Sequence, residues 1–473
     1  MTGPGSTPRT RSRAGAPAGP PPARAREAVP AQPSGAPAAP SRGPDRPEGG
    51  YEVTVCRDTA GFGALGPEWA ALHRRCPEAT PFQSHAWLHS WWLSYGGGRE
   101  RRLRIVVVRH GGDLVAVAPL TRVRRPLPAL VPLGGAITDY GDVLVDPAHR
   151  PGATDALLAG LRRASRGAVL DLREVRPGGA AEELFARWPG PRRRLPDSLC
   201  LELPGGPMDA LISRVSSSRG RRIRSDLRKI AAAGLTERRV PAAEVPVAVA
   251  RLLRLHQEQW RGRGITPEHL RPRFAEHLTR ACAAMAATGE AVITEFRLPA
   301  PPGRRGAGPD GGPGGLPESA NDRPAGARRG EPRGEVVAVD LSLVSAALRG
   351  GYLFGCRPAP LRAARVDVTT LLMRLGAHGT AGGGQPVLSL LRGDEPHKAH
   401  WRPERVVNGR LMMAGRLAWP LLAVRYAPAA ARARLRGRPL PRLRAARARL
   451  ASVRAALTGR ARGAERPGTG PRR

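Results

Sequence analysis

Gly112-Asp113-Leu114-Val115-Ala116-Val117 and Gly334-Glu335-Val336-Val337-Ala338-Val339 are one phrase, G-[DE]-[LV]-V-A-V, written twice in a single chain. Each copy follows an apolar, strand-like run, at residues 103–109 in the first case and 291–296 in the second. Farther on, Val169-Leu170-Asp171-Leu172 is echoed by Val387-Leu388-Ser389-Leu390, and the two intervals are similar, 112 to 169 and 334 to 387. A helical period precedes each echo, with Leu157, Leu158 and Leu161 inward over 153–165 and Leu371, Leu372 and Leu375 inward over 368–376. The repeating unit is therefore strand, tight turn, strand, further strand, helix, strand. Such a unit makes a layer of antiparallel strands with a helix on one face. Two copies give an α/β (α+β) chain with two similar subdomains, expected at 51–200 and 201–425.

Outward from the repeats the composition changes. Residues 1–50 are Pro, Gly, Ala and Arg without periodicity, too poor in apolar area to offset chain entropy, and read as a disordered tail. Residues 298–334 have the same character and lie between two strand-like runs, so they read as a hairpin turn enlarged by a disordered insertion. From Arg425 onward the chain carries fifteen Arg and one Glu, and 426–473 reads as a basic tail. Within it Leu443, Ala446, Leu450, Val453 and Leu457 recur at helical spacing with Arg on the other faces. Two readings stand for that segment: a basic amphipathic helix on anionic lipid or nucleic acid, or a solvated Arg-rich helix.

The whole chain has 473 residues, 77 Lys and Arg against 39 Asp and Glu, and a formal charge of +38. Lys occurs only at Lys229 and Lys398, so nearly all of that charge is Arg, and Gly (58) and Pro (50) are inflated with it. These residues share GC-rich codons, which discounts the charge as a sign of nucleic-acid binding. No run of 18 apolar residues occurs, and the first 50 residues lack the apolar core of a signal peptide. A cytoplasmic protein is expected, with the tail as its one route to the inner face of the membrane. Five widely spaced cysteines without a C-x-x-C pair read as reduced thiols.

Most short motifs fail. Gly61-Phe62-Gly63-Ala64-Leu65-Gly66 fits the dinucleotide pattern by letters, but no acidic residue ends a second strand downstream; that region is a Trp-rich helix. Neither Lys has P-loop glycines, and G-x-S-x-G and H-E-x-x-H are absent. His85 and His89 stand one turn apart on a helix capped by Ser84 and lack a third metal ligand; Trp87, Trp91 and Tyr95 share a face of that helix that suits core packing. Residues 218–230 form a basic helix with Ile223, Leu227 and Ile230 inward and Gly234 as its stop. Its arginines fit either phosphate or plain solvent. The densest polar cluster is Leu391-Arg392-Gly393-Asp394-Glu395-Pro396-His397-Lys398-Ala399-His400-Trp401, which leaves the last strand of the second copy. Loops at strand ends are where a rigid scaffold holds functional groups, although ordinary ion pairing on a surface loop fits the same letters.

At these residues the chain resembles the CelD/BcsL family of GNAT-like acetyltransferases, associated with cellulose and exopolysaccharide synthesis. The matching phrases are Pro81-Phe82-Gln83-Ser84-His85-Ala86-Trp87-Leu88-His89-Ser90-Trp91-Trp92, residues 114–120, Thr138-Asp139-Tyr140-Gly141-Asp142, the basic helix at 219–230, and Leu255-His256-Gln257-Glu258-Gln259-Trp260. The most specific is Arg392-Gly393-Asp394-Glu395-Pro396-His397-Lys398, close to the family's GDEPYK, and the likeness covers about residues 51–415. It implies two tandem GNAT folds, as in the peptidoglycan-building FemABX aminoacyltransferases. It also implies transfer of an acyl group from acetyl-CoA or another acyl-CoA, without a metal, to an amine or hydroxyl on a small-molecule or glycan acceptor. On that basis Asp394 and Lys398 are the expected functional residues, with Glu395 and His397 as bases. Asp139, Tyr140 and Trp401 are expected at the acceptor, and Arg362, Arg365 and Asp367 at the CoA pyrophosphate. Two positions depart from the family: His397 replaces Tyr, and the 362–367 loop lacks the usual glycines. The alternatives are a transferase using aminoacyl-tRNA, with the basic helix on RNA phosphates, and a non-catalytic interaction protein at a membrane-associated assembly.

Overall fold

The computed structural model describes residues 50–98, 102–124, 127–150, 152–262, 264–299 and 334–437. The expected tail at 1–50 (apart from Gly50), nearly all of the 298–334 insertion, and the Arg-rich stretch beyond 437 lie outside the described residues.

Among the described residues thirteen strands form one sheet: β1 (Tyr51–Cys56), β2 (Leu103–His110), β3 (Asp113–Val123), β4 (Ala129–Pro132), β5 (Leu144–Val145), β6 (Val169–Val175), β7 (Arg192–Pro204), β8 (Thr236–Arg239), β9 (Ala291–Leu298), β10 (Glu335–Val344), β11 (Arg349–Cys356), β12 (Val387–Arg392) and β13 (Glu404–Met413). The helices are α1 (Thr59–Ala64), α2 (Gly66–Arg75), α3 (His85–Tyr95), α4 (Gly152–Ala164), α5 (Ala180–Arg187), α6 (Met208–Ser213), α7 (Ser217–Ala232), α8 (Val245–Trp260), α9 (Pro272–Ala287), α10 (Pro358–Ala363), α11 (Val368–Gly383), α12 (Pro396–Ala399) and α13 (Trp419–Gly437).

The strand order is β1-β2-β3-β4-β6-β13-β7-β12-β11-β10-β9-β8, with β5 on β3. Its two ends repeat: four antiparallel strands, then a parallel neighbour reached through a helix, β4 to β6 through α4 and β11 to β12 through α11. The duplicated phrases start β3 and β10, which hold the same place in each half. The turn into β3 needs Gly111 and Gly112, both at positive φ (60° and 96°). In the middle the last strands change sides. β13, from the second half of the chain, pairs with β6, while β7 pairs with β12. β7 and β13 pair with each other and weld the halves into one sheet. The boundary expected at 200/201 falls inside β7, and α13 continues through residues that read as tail.

Both faces of the sheet are covered, which explains the unbroken apolar runs. In β2, Ile105 and Val107 join the core under α1, α2, α3, α8 and α9, while Val106 and Val108 join the core under α4 and α5. On the second half, α7, α10 and α11 cover the face opposite α8 and α9. Ser84 caps α3, its Oγ accepting from Trp87 N at 3.3 Å, and Trp87 is fully buried. All five cysteines are free thiols. The Gly61–Gly66 motif lies within α1 and α2, with Phe62 in the core. Among the described residues no helix is long and apolar enough to cross a membrane, and no group of three or more His, Cys, Asp or Glu could hold a metal ion.

Candidate functional site

In each half the parallel pair separates early. β11 and β12 pair only at Arg349/Leu388 and Gly350/Ser389, and β4 and β6 only at Ala129/Val169 and Leu130/Leu170. Beyond the second split, the segment after β4 is held by both diverging strands: Tyr352 of β11 donates to Ile137 O at 2.9 Å, and Arg392 of β12 donates to Ala136 O at 2.6 Å. This placement carries Asp139 and Tyr140, from the first half, onto the central strands.

A buried polar network results. Ser389 Oγ accepts from Leu391 N at 3.1 Å and lies 2.9 Å from Tyr140 Oη, which donates to Glu202 Oε1 at 2.9 Å. Since Tyr140 has one proton and spends it on the carboxylate, Ser389 is the donor to Tyr140. Arg176 closes the chain with two bonds to Glu202, at 3.0 and 2.7 Å. Beside it Arg392 pairs with Asp139 and, at 3.3 Å, with Glu174. Asn408 Nδ2 donates to Asp139 O at 3.0 Å and approaches Glu174 and Ser198 at 3.3 Å. Tyr140 is 1% exposed, and Ser389 and Asn408 are fully buried. Glu174 and Leu391 both hold positive φ (58° and 56°), a conformation that costs of order 1 kcal/mol or more for such residues and clusters at functional sites.

Burial governs the electrostatics. It pushes the Asp139 carboxyl above its ordinary value against the pull of Arg392, and raises Glu174 with help from nearby Asp197. The Cys200 thiol, 3.5 Å from Asn408 Nδ2, is pushed up to about 12, so it is a neutral packing group rather than a nucleophile. Tyr140 lines a small cleft with Glu78, Thr80, Gln83, Asp142, Arg176 and the backbone of Gly141, Gly178 and Gly179. Gln83 fixes the position by donating to Tyr140 O at 2.8 Å.

The expected residues divide. Asp139 and Tyr140 lie in the network. Asp394 and Glu395 are exposed on the loop after β12, and His397 is exposed on α12. Glu395 pairs with Lys398 at 2.8 Å, and burial lowers His397. Lys398 Nζ donates to Arg392 O at 3.0 Å, so the phrase locks the strand end from which Arg392 projects. Trp401, expected at the acceptor, is 2% exposed and packs with Leu203, Ile212, Ile223 and Met373. Arg362, Arg365 and Asp367 are exposed at the α10–α11 turn. There Asp367 Oδ1 accepts from Thr370 N at 2.7 Å and caps α11. That carboxylate occupies the helix N-terminus a pyrophosphate needs, so the turn as it stands does not fit one. Glu174, Ser198, Glu202, Ser389, Arg392 and Asn408 were not singled out from sequence. The one available signal was a charged letter inside an apolar strand, as in Val169-Leu170-Asp171-Leu172-Arg173-Glu174-Val175.

Residues 217–303, which include α7, β8, α8, α9 and β9, match the family described as "Acetyltransferase (GNAT) domain". No curated protein matches the chain. Similar solved structures include FemX, with 12% identity and a TM-score of 0.48 over 75% of this chain and 98% of that one. A conserved protein of unknown function from Bacteroides thetaiotaomicron VPI-5482 follows at 8% identity and a TM-score of 0.46, over 77% of this chain and 100% of that one. A tandem GNAT protein from the clavulanic acid biosynthesis pathway has 15% identity and a TM-score of 0.33, over 77% of this chain and 99% of that one. The family match gives the chain a GNAT acetyltransferase domain at residues 217–303, within an α/β sheet whose strand order repeats in its two halves.

Proposed function

We propose that the protein is an acyltransferase that moves an acyl group from an activated donor to an amine or hydroxyl acceptor. The observation that carries this reading is the buried chain Leu391 N to Ser389 to Tyr140 to Glu202, whose Tyr140 and Arg176 line a cleft, in a protein whose residues 217–303 match a GNAT acetyltransferase domain. The chain holds the Tyr140 hydroxyl in one orientation, and Arg176 keeps the Glu202 carboxylate in register. Asp142 lines the cleft and burial raises its carboxyl to about 7, which makes it the carboxylate there best poised to take a proton from an acceptor. The cleft, lined by Glu78, Gln83 and Asp142, suits a polar acceptor such as an amino or hydroxyl group of a glycan, in keeping with the CelD/BcsL resemblance and a role in polysaccharide or envelope synthesis.

Acyl-CoA is the first donor to test. A second reading, with aminoacyl-tRNA as donor, is favoured by Asp367 at the α11 N-terminus and by the exposed Arg221, Arg222, Arg224 and Arg228 along α7. Calorimetry with acetyl-CoA separates the two: heat of binding supports the first, and silence at millimolar ligand removes it. The tRNA reading is then judged by salt titration, since weak, sequence-blind binding shed at moderate salt counts against it. For either donor, Tyr140→Phe is expected to lower kcat by about 10²- to 10³-fold with a stability change near 1 kcal/mol. Unchanged kcat would remove the Tyr140 hydroxyl from the mechanism.

A further inference from the structure

From Trp419 to Ala431, α13 has an apolar inner side and an uncharged outer side. Its inner side packs Leu422, Ala429 and Ala430 against Met412, Val169 and Leu195, with Leu421 and Tyr426 at the margin. Its outer side, with the turn before it, exposes Leu417 (99%), Trp419 (59%) and Val424 (61%). Pro420, Ala423, Ala427, Pro428 and Ala431 complete that exposed stripe. From Leu417 to Ala431 no exposed residue is charged; Arg425 turns inward to Asp171, at 2.7 Å. Exposed Arg416 and Arg432 flank the stripe, and residues 438–473 carry eleven Arg and one Glu.

We propose that this face of α13 docks the protein on an anionic lipid bilayer. A helix with an uncharged outer stripe, followed in sequence by eleven arginines, has the two elements of interfacial binding, apolar side chains for the acyl boundary and cations for the headgroups. Trp419 is the residue type enriched at that boundary, because its ring is apolar and its N–H stays wet. The charge also selects among occupants. A second copy would bring its own Arg-rich stretch against the first, and like charges oppose that pairing. A nucleic acid would engage the arginines but leave the apolar stripe in water. The proposal is independent of the acyl-transfer reading.

Flotation of the full chain with vesicles tests it. Binding is expected to vesicles of phosphatidylcholine mixed with phosphatidylglycerol, and to be much weaker to phosphatidylcholine alone. Leu417→Ser/Trp419→Ser/Val424→Ser is expected to weaken binding to the mixed vesicles about tenfold or more while leaving the melting temperature unchanged, because these side chains are exposed. Quenching of Trp fluorescence by brominated lipid, reduced in Trp419→Phe, would place the ring in the bilayer. Equal binding by the triple variant would overturn the proposal in favour of the arginines alone. Concentration-dependent dimerisation abolished by the same variant would overturn it in favour of a second copy. Loss of vesicle binding on nuclease treatment would overturn it in favour of RNA.

Discussion

Arg392 is the residue on which the two halves of the network meet. Its guanidinium faces Asp139 and Glu174 at once and donates to the carbonyl of Ala136. Arg392→Met keeps the aliphatic stem and removes the charge, leaving two buried carboxylates without a cation; breaking such a set costs about 3–5 kcal/mol. The pH dependence has a definite sign. Both carboxyls already lie above their ordinary values, so the native state holds protons more tightly than the unfolded chain, and these two groups erode stability as pH rises out of the carboxylate range. Without Arg392 both rise further and the erosion extends to higher pH. Urea denaturation should therefore show the variant closest to wild type at acid pH and farthest from it at neutral pH. A pH-independent gap would mean that Arg392 acts through packing instead. The residue was visible in sequence only as part of the phrase that ends in Lys398; nothing in the letters shows that Asp394, Glu395 and His397 face solvent while their neighbour turns inward.

At the scale of elements, local pattern read well and partner choice did not. The basic helix placed at 218–230 is α7, the helix placed at 153–165 is α4, and the strand-like runs at 103–109 and 291–296 are β2 and β9, because apolar period and caps are local signals. The exchange of β7 and β13 was illegible. Ladder pairing uses the backbone, and Met412, for example, pairs with both Asp171 and Arg193, more than 200 residues earlier. The same limit hid the anchor of α13. Asp171 has a fully buried side chain that takes two bonds from Arg410, at 2.7 and 2.6 Å, and one from Arg425, at 2.7 Å. Burial opposes its charge, but the two guanidinium groups outweigh burial and hold the carboxyl below its ordinary value. Its contribution is therefore present above the ordinary carboxylate range and lost as pH falls through the lowered one. Asp171→Ala should destabilise by about 3–5 kcal/mol at neutral pH, since it strands two cations. Arg425→Leu should do less, because Arg410 still pairs the carboxylate. Hydrogen exchange resolves the two: Arg425→Leu should speed exchange in α13 before the rest of the sheet, and uniform acceleration would show that α13 is not held independently.

At the scale of the molecule, the exchanged strands decide how the chain folds. A first half ending at Pro204 contains β1 to β7, but β7 has no neighbour there, because β13 and β12 both come from the rest of the chain. A second half beginning at Gly205 has the mirrored defect: β13 loses both β6 and β7, and β12 loses β7. Each fragment thus exposes central strand edges, the geometry that pairs with whatever strand is available. The intact chain is expected to unfold in one cooperative transition, with far-ultraviolet circular dichroism and Trp fluorescence coincident, despite its repeated topology. Fragments 1–204 and 205–473, cut after Pro204 at the end of β7, should each aggregate or remain partly folded alone. Co-expressed, they should reassemble into a 1:1 complex, because the exchange supplies each with the strands it lacks. Two resolved transitions in the intact chain, or a stable monomeric fragment with native hydrogen-exchange protection, would show that each half is self-sufficient and that the shared central strands only join domains already folded.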